Sequence, residues 1–392
     1  MWTKVAGAAA CFAAIMGFSR LAYGVLVPAM RATLGGSYAL YGTIGAANLG
    51  GYLVGTFAAI RLARRTDRSR INLAALALMC VAMAASGLAH DPLGLGLLRF
   101  VVGAASGVAV PLTLALAVEA IGLAQRGLAA AIVWGGGSLG IALVGAVGIL
   151  PFAATANAWR TQWIGMGALG LGCAIVFFAV THGRCIIRTD APDDGSSIGL
   201  FAPARYLPLT VGYFGYGVGY IAVVTFMGAA IVSLHAVPPA ATWLVLGLAG
   251  VASATLWGKL LDRYRDGTPV ALANGCCALG AAGMASGSAA PVLLGALLVG
   301  VSFIGVPAMV GALLQQRETN ARYGRAFASM TIVLGLAQIV GPILGGIVAD
   351  RFGTQAALFF GATMLALAAI ATARYRTDDG LPRRLAQPLE AR

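Results

Sequence analysis

Charged side chains are scarce in this chain. Of its 392 residues, 10% are Asp, Glu, Lys or Arg and 59% are hydrophobic, whereas soluble domains are about 25% charged. A soluble domain cannot bury so much apolar surface, because a single hydrophobic core stops growing beyond about 250–300 residues. The composition therefore indicates that a lipid bilayer is the solvent for most of the chain.

Acidic residues and histidine are few, with 13 Asp and Glu and 3 His. The resulting net charge of +13 would suggest nucleic-acid binding in a soluble protein. Here the Lys and Arg residues cluster in alternate loops, which is typical of a membrane protein, so we expect no nucleic-acid partner. The His residues lie at the ends of apolar runs and the 6 Cys mostly inside them. We therefore expect no metal site, disulfide framework or cofactor.

Nucleotide-binding and catalytic patterns are also missing. The sequence has no G-x-x-x-x-G-K-[ST] motif, so it carries no ATPase site of that kind. The G-x-G-x-x-G match at residues 135–140 lies inside an apolar run without a preceding strand, which favours helix packing over dinucleotide binding. No nucleophile, base and orienting residue can be grouped from the sequence, so we do not expect an enzyme.

Long apolar segments are what the chain has in abundance. A helix that spans a bilayer needs roughly 20 mainly apolar residues. Twelve runs approach or exceed this length, at residues 5–30, 38–60, 71–89, 92–118, 127–150, 160–181, 206–234, 240–261, 269–287, 290–314, 325–348 and 354–373. The sequence therefore predicts an all-α membrane protein with twelve transmembrane helices.

The loops predict the orientation and the division of the chain. Most Lys and Arg residues fall on the side of the two termini, which we expect to be the cytoplasmic side of a bacterial inner membrane. A polar stretch at 183–204 follows the sixth run and is typical of a linker. We expect two six-helix bundles, at 1–182 and 205–376, and a cytoplasmic tail at 377–392.

Short motifs repeat between the two halves. Asp67-Arg68 follows the second apolar run, and Asp262-Arg263 follows the eighth, at the corresponding place. Gly258 precedes the second pair by four residues, so this loop resembles the G-x-x-x-D-R signature of the major facilitator superfamily. The first loop keeps the Asp-Arg pair but has no Gly at that spacing.

Other segments extend this resemblance over nearly the whole chain. The fourth run carries L-x-x-x-R-x-x-x-G-x-x-x-G around Arg99, which is similar to an intramembrane-Arg motif of the superfamily. The segment G-F-S-R-L-A-Y at 17–23, together with Asn48 and Gly51-Tyr52, resembles the YbfB/YjiJ-type branch. The resemblance implies alternating access around a central path lined by helices 1 and 7. It implies gating, coupling or structural roles for Arg99, with substrate contact as an alternative. It implies gating roles for the Asp67-Arg68 and Gly258–Arg263 loops.

Arg20 is the most informative single residue. It lies about fifteen residues into the first run, where a charge costs roughly 2.5–3.5 kcal/mol on insertion scales. None of the 13 acidic residues falls inside an apolar run, so the sequence offers no intramembrane carboxylate as its partner. An Arg in a water-lined cavity would make an anion site. The alternative is that Arg20 packs over an aromatic ring such as that of Tyr23, or donates to carbonyls at a helix break.

Polar and aromatic residues at helical spacing give further candidates for the cavity lining. In helix 2, Tyr41, Asn48 and Tyr52 share one face, and helix 7 has a similar stripe. The alternative for each is interhelical packing with its polar atoms satisfied locally. The predicted substrate-binding residues are Arg20, Tyr23, Asn48, Tyr52, Tyr213, Tyr216, Tyr220 and Gln338.

Three functions are compatible with these features. The first is a monomeric secondary or facilitative transporter of a small organic anion, such as a carboxylate, recognised by Arg20. The second is proton-coupled efflux of drugs or metabolites, with helix-end acids such as Asp91 or Glu119 as the coupling groups. The third is a sensor that has a transporter fold but does not transport.

Overall fold

The computed structural model describes residues 1–62, 67–119, 121–122, 125–150, 155, 157–181, 206–264, 266–318 and 320–376. These residues form twelve apolar helices. In chain order they are α1 (Trp2–Leu34), α2 (Tyr38–Leu62), α3 (Arg68–Ser86), α4 (Pro92–Val118), α5 (Arg126–Gly148), α6 (Ala158–Thr181), α7 (Leu207–Leu234), α8 (Pro239–Tyr264), α9 (Thr268–Met284), α10 (Ala289–Arg317), α11 (Asn320–Phe352) and α12 (Thr354–Ala373).

The predicted all-α membrane architecture is confirmed. Within the described ranges, ten of the helices are each long and apolar enough to cross a membrane. Helix α8 passes the same test when its two bent halves are taken together, and α9 is a shorter apolar helix. Large apolar side chains such as Leu97 and Leu279 are exposed on the outer helix faces, where lipid would cover them.

Two clusters of buried apolar side chains divide the molecule. One draws on residues between Val5 and Phe177, and the other mainly on residues between Tyr206 and Tyr375. The proposed linker at 183–204 and the tail at 377–392 lie outside the described residues. The domain limits 1–182 and 205–376 therefore stay predictions.

Helix α1 contains an irregularity that its apolar pattern did not predict. Residues Ala13–Leu21 form a π-helical segment between two α-helical ones. Gly17 lies in this segment, and a Cβ there would approach the backbone of Gly140 to 2.5 Å, so α1 packs directly against α5. Such widened turns are frequent at functional sites. This one carries Arg20 near its end.

Helix α10 is interrupted at a proline. Pro307 has no N–H to donate to the carbonyl of Phe303, four residues earlier. The helix accordingly consists of two segments, Ala289–Phe303 and Gly305–Arg317. The hydroxyl of Tyr216 on α7 donates to the Phe303 carbonyl and so replaces the missing partner.

The two halves meet through three helix pairs: α2 with α11, α5 with α8, and α1 with α7. We call the end of the bundle at which α1 begins the near end, and the opposite end, with residues 35–37, the far end. A Cβ on Gly42 would lie 2.1 Å from the Pro342 carbonyl oxygen, and one on Gly346 would lie 2.5 Å from the Tyr38 carbonyl oxygen. Backbone contacts this close hold the far end of the interface shut.

A carboxylate adds to the closure of the far end. Asp350 on α11 accepts the backbone N–H of Tyr38 at 2.7 Å and that of Ala39 at 2.8 Å, at the first turn of α2. A carboxylate at a helix N-terminus is favourable because the unpaired N–H groups there carry partial positive charge. Asp350 thus joins the two halves.

Asp350→Ala should increase the fraction of molecules that are open at the far end about two- to fivefold, because it removes a helix-terminal charge interaction between the halves. The measured quantity is the labelling rate of a cysteine that replaces Thr225. Thr225 is a buried residue on the face of α7 that meets the other half. A membrane-impermeant maleimide is applied to each face of the membrane separately.

The matched control is Asp91→Ala, because Asp91 caps α4 within its own half by accepting the Gly94 N–H at 2.8 Å. This variant should leave the labelling rate from the far-end face unchanged. Equal rates in the Asp350 variant and the parent would show that the carboxylate does not hold the halves together.

Candidate functional site

Arg20 lies between the two halves of the molecule. Its Nη2 donates to the Oε1 of Gln338 on α11 at 2.6 Å. Its guanidinium carbon lies 4.8 Å from the ring centroid of Tyr52 on α2, a cation–π distance. The Nε is buried and has no hydrogen-bond partner among the described residues. Arg20 is therefore held in place, but its donors are not all used.

Gln338 continues this contact into the second half. An arginine can only donate, so the amide must turn its oxygen to Arg20 and its nitrogen away. The Nε2 then donates to the hydroxyl of Tyr220 on α7. Arg20, Gln338 and Tyr220 form one chain of hydrogen bonds through α1, α11 and α7.

Arg99 on α4 is the second guanidinium at this site, and it is more deeply buried than Arg20. Its side chain is 1% exposed, and its Nη2 donates to the backbone carbonyl of Ser19 in the π-helical segment. The guanidinium carbon lies 5.3 Å from the Tyr23 ring centroid and 4.8 Å from that of Trp163. Its Nε and Nη1 have no partner in the described part of the chain. Of the alternative contacts considered for Arg20, packing over an aromatic ring does occur, at Tyr52. The Tyr23 ring and a carbonyl at a helix irregularity are contacts of Arg99.

The polar groups of two predicted ligands are used in packing. The hydroxyl of Tyr23 donates to the Tyr41 carbonyl at 2.7 Å, and the Nδ2 of Asn48 donates to the Arg99 carbonyl at 2.9 Å. The Asn48 bond spans the tight contact between α2 and α4, where a Cβ on Gly103 would lie 1.8 Å from the Asn48 carbonyl oxygen. Both side chains therefore fix the positions of the helices around the arginines.

A small cavity connects the two arginines. It offers about 20 Å³ to the centres of water molecules, which is room for one or two waters. Four helices contribute to it: α1, α2, α4 and α7. The lining residues are Arg20, Tyr23, Gly45, Asn48, Leu49, Arg99, Ile221 and Thr225.

The tyrosine stripe of α7 does not line this cavity as a whole. Tyr220 contacts Gln338, and its ring is stacked on that of Tyr216 with centroids 4.7 Å apart. Tyr213 stacks on Tyr216 in turn at 5.9 Å, and the Tyr216 hydroxyl is bonded to the α10 backbone. Tyr213 and Tyr216 form a packed column behind Tyr220.

The loop motifs lie at the near end, away from the cavity. Asp67 caps α3 by accepting the Ser69 N–H at 2.9 Å, and Arg68 pairs with Glu119 at 3.1 Å. In the second half, Asp262 and Arg263 are exposed at the end of α8. No described heavy atom lies within 4 Å of a Cβ placed on Gly258. The gating roles of these residues stay predictions.

The charge balance of the cavity follows from these contacts. Neither Arg20 nor Arg99 contacts a carboxylate in the described ranges. The carboxylates of Glu119 and Asp67 pair with other arginines, at helix ends away from the cavity. Two guanidiniums thus face one cavity with aromatic rings, amides and carbonyls around them, but without a counter-charge from the described residues.

Sequence reasoning was incomplete at this site. It placed Arg99 with the gating motifs, although Arg99 lines the cavity with Arg20. It overlooked Leu49 on α2, Trp163 on α6 and Ile221 on α7. No local pattern could reveal Trp163 as the cover of Arg99, since the contact depends on how α4 and α6 pack.

Comparison with known proteins places the chain among membrane transporters. The sequence profile of the family described as "Uncharacterised MFS-type transporter YbfB" matches residues 12–373. No curated protein sequence matches the chain.

Solved structures share the fold at low sequence identity. The nucleoside transporter NupG, in a mutant form, is 13% identical with a TM-score of 0.78, covering 94% of this chain and 98% of that one. The inward open xylose transporter XylE from E. coli is 14% identical with a TM-score of 0.74, covering 95% and 96%. A bacterial homolog of the human lysosomal transporter Spinster, inward-facing, is 14% identical with a TM-score of 0.72, covering 95% of each chain.

Gln338→Leu should lower the thermal stability of the purified protein, since it leaves the Arg20 Nη2 and the Tyr220 hydroxyl without their partner, at a cost of about 1–3 kcal/mol. Gln338→Glu should keep or raise stability, because a carboxylate accepts from both groups and supplies the missing charge. Thermal unfolding in detergent measures both.

The control is the same pair of changes at Gln315, an exposed residue of α10, where both should be nearly neutral. If Gln338→Glu destabilised the protein as much as Gln338→Leu, the prediction would be wrong. The positive charge of Arg20 would then already be compensated in the parent protein.

Proposed function

The chain belongs to the YbfB-type family of major facilitator transporters, and we propose that it carries a small organic anion, such as a carboxylate, which Arg20 recognises. The observation that carries this proposal is the partly buried guanidinium of Arg20, which has a buried Nε and no carboxylate partner among the described residues. A positive charge in a desolvated site is costly unless it is paired. A substrate carboxylate would supply the pairing charge and accept charge-assisted hydrogen bonds.

The position of Arg20 couples binding to movement of the two halves. Arg20 belongs to the first half, and its partner Gln338 belongs to the second. A carboxylate that approaches Arg20 competes with the Gln338 oxygen for the same guanidinium. Binding therefore changes a contact between the halves, and alternating access depends on such contacts.

The cavity must widen for transport. Its volume is enough for water but not for an organic anion. The far end is closed by the α2–α11 contact and by Asp350. We propose that opening from the near end admits the substrate to the arginines. A gradient of the substrate or of a coupled ion then drives its movement, and no chemical step takes place on it.

The contacts of the helix-end acids favour the anion over proton-coupled efflux. Asp91 caps its own helix, and Glu119 pairs with Arg68. Both lie away from the cavity, whereas a coupling acid acts best where it senses the substrate. The expected roles of Asp91 and Glu119 as coupling groups therefore have less support than an anion carrier.

The orientation and assembly belong to the same proposal. We place the near end at the cytoplasm of a bacterial inner membrane, because Arg68, Arg263 and Arg317 lie there, and Lys and Arg are enriched in cytoplasmic loops. The transporting unit is a monomer, since the cavity lies between two halves of one chain.

Arg20→Gln should weaken carboxylate binding and uptake at least about 30-fold, the usual minimum for removing one partner of a buried charge pair. Arg20→Lys should keep part of the activity, since it retains the charge but loses the planar fork. The measurement is uptake of radiolabelled lactate and succinate into proteoliposomes, with glucose and choline as neutral and cationic comparators.

The matched control is Arg31→Gln, which removes an arginine whose guanidinium lies over Tyr38 at the far end, 4.2 Å from the ring centroid. It should leave uptake near the parent level. Uptake of glucose or choline but neither carboxylate, or full carboxylate uptake by Arg20→Gln, would contradict the proposal.

A further inference from the structure

We propose that the substrate is a dicarboxylate, and that Arg99 is the residue that binds its second carboxylate. This inference rests on the proposed anion transport and names the substrate class. It assigns substrate binding to a residue that sequence reasoning placed with the gating or structural motifs.

The two guanidiniums serve the same cavity. Arg99 Nη2 donates to the Ser19 carbonyl, and Ser19 directly precedes Arg20 in the chain. Both side chains line the cavity, and neither contacts a carboxylate within the part of the chain that the structure describes. A ligand with one negative charge would leave one of the two cations at this cavity uncompensated.

The unused donors are the second observation. Arg99 Nε, Arg99 Nη1 and Arg20 Nε are all buried, and none has a hydrogen-bond partner among the described residues. Buried polar groups in proteins are hydrogen-bonded in the large majority of cases, so each exception requires an explanation. Carboxylate oxygens are the acceptors that match guanidinium N–H groups in number and charge.

Aromatic rings restrict how the arginines can be approached. Trp163 and Tyr23 lie against Arg99, and Tyr52 lies against Arg20, at cation–π distances. Such a contact does not use a guanidinium N–H group in a hydrogen bond to an oxygen, so the donors without partners stay available to a ligand. The planar fork of N–H donors matches the two oxygens of a carboxylate.

The surroundings of the arginines also indicate two separate anionic groups. Arg20 is directed to Gln338 and Tyr220 of the second half, whereas Arg99 is enclosed by Tyr23 and Trp163 of the first half. A ligand with carboxylates at two ends can reach both environments. A compact dianion such as a phosphate monoester places its charges on one group.

The test compares ligands that differ by one charge and little in shape. Succinate and succinamate have the same length, and the amide replaces one carboxylate; malonate and glutarate, with their half-amides, extend the series to other lengths. Dissociation constants of the purified protein are measured by calorimetry. In at least one pair, the dicarboxylate should bind about 30-fold or more tightly than its half-amide.

In Arg99→Gln, the dicarboxylate should bind less than about threefold more tightly than its half-amide, because the second carboxylate then has no charged partner. The half-amide carries no charge at that end, so it should lose less affinity than the dicarboxylate in the same variant. Arg20→Gln should weaken the binding of both ligands. Arg160→Gln, which removes an arginine that donates to the Gly87 and Ala89 carbonyls, is the control and should keep the ratio.

Arg99 also contacts the Ser19 carbonyl. If the loss of this contact prevents Arg99→Gln from folding, Arg99→Lys decides. A lysine keeps the charge, so the preference for the dicarboxylate should persist with weaker absolute affinity. If Arg99→Lys bound the dicarboxylate and its half-amide equally, the assignment would be wrong.

Other outcomes separate this inference from the proposed function. One such outcome is that every dicarboxylate binds as tightly as its half-amide and that Arg20→Gln loses both. This result overturns the dicarboxylate assignment but not the proposed anion transport. Tighter binding of methyl phosphate than of all the dicarboxylates overturns the assignment in favour of a compact dianion. If none of these anions binds, the proposed function fails as well.

Discussion

A positive charge inside an apolar protein must be compensated, and the organisation of this molecule around Arg20 and Arg99 follows from that requirement. Aromatic faces, an amide and a backbone carbonyl satisfy part of each guanidinium. None of these groups carries a full negative charge. The compensation within the described residues is therefore incomplete, and the substrate anion that we propose would supply the remainder.

The helix irregularities near the cavity serve the same arrangement. The π-helical segment of α1 places the Ser19 carbonyl where Arg99 can reach it, and carries Arg20 toward the second half. Pro307 frees the Phe303 carbonyl, which then holds the Tyr216 hydroxyl and with it the tyrosine column behind Tyr220. Each departure from regular helix thus fixes a side chain close to the arginines.

Much of the architecture could be predicted from the sequence, because bilayer-spanning helices leave a strong signal in hydropathy. All twelve apolar runs are helices, with ends that differ by a few residues; α1, for example, begins at Trp2 and α11 at Asn320. Arg20 was also predictable as a residue of interest, since a charge within an apolar run is rare. The partners were not predictable, because the contacts of Arg20 with Gln338 and Tyr52 depend on tertiary packing. Helical spacing placed Tyr213 and Tyr216 on one face of α7. It did not show that their rings stack on each other instead of lining the cavity.

The most direct measurement of the central claim is the position of a bound anion. Crystals of the protein soaked with bromosuccinate allow the bromine to be located by its anomalous signal, and the carboxylates to be placed around it. We expect one ligand between Arg20 and Arg99, with carboxylate oxygens at about 2.7–2.9 Å from guanidinium nitrogens of both residues. A ligand bound elsewhere, with the two arginines unchanged, would contradict the account.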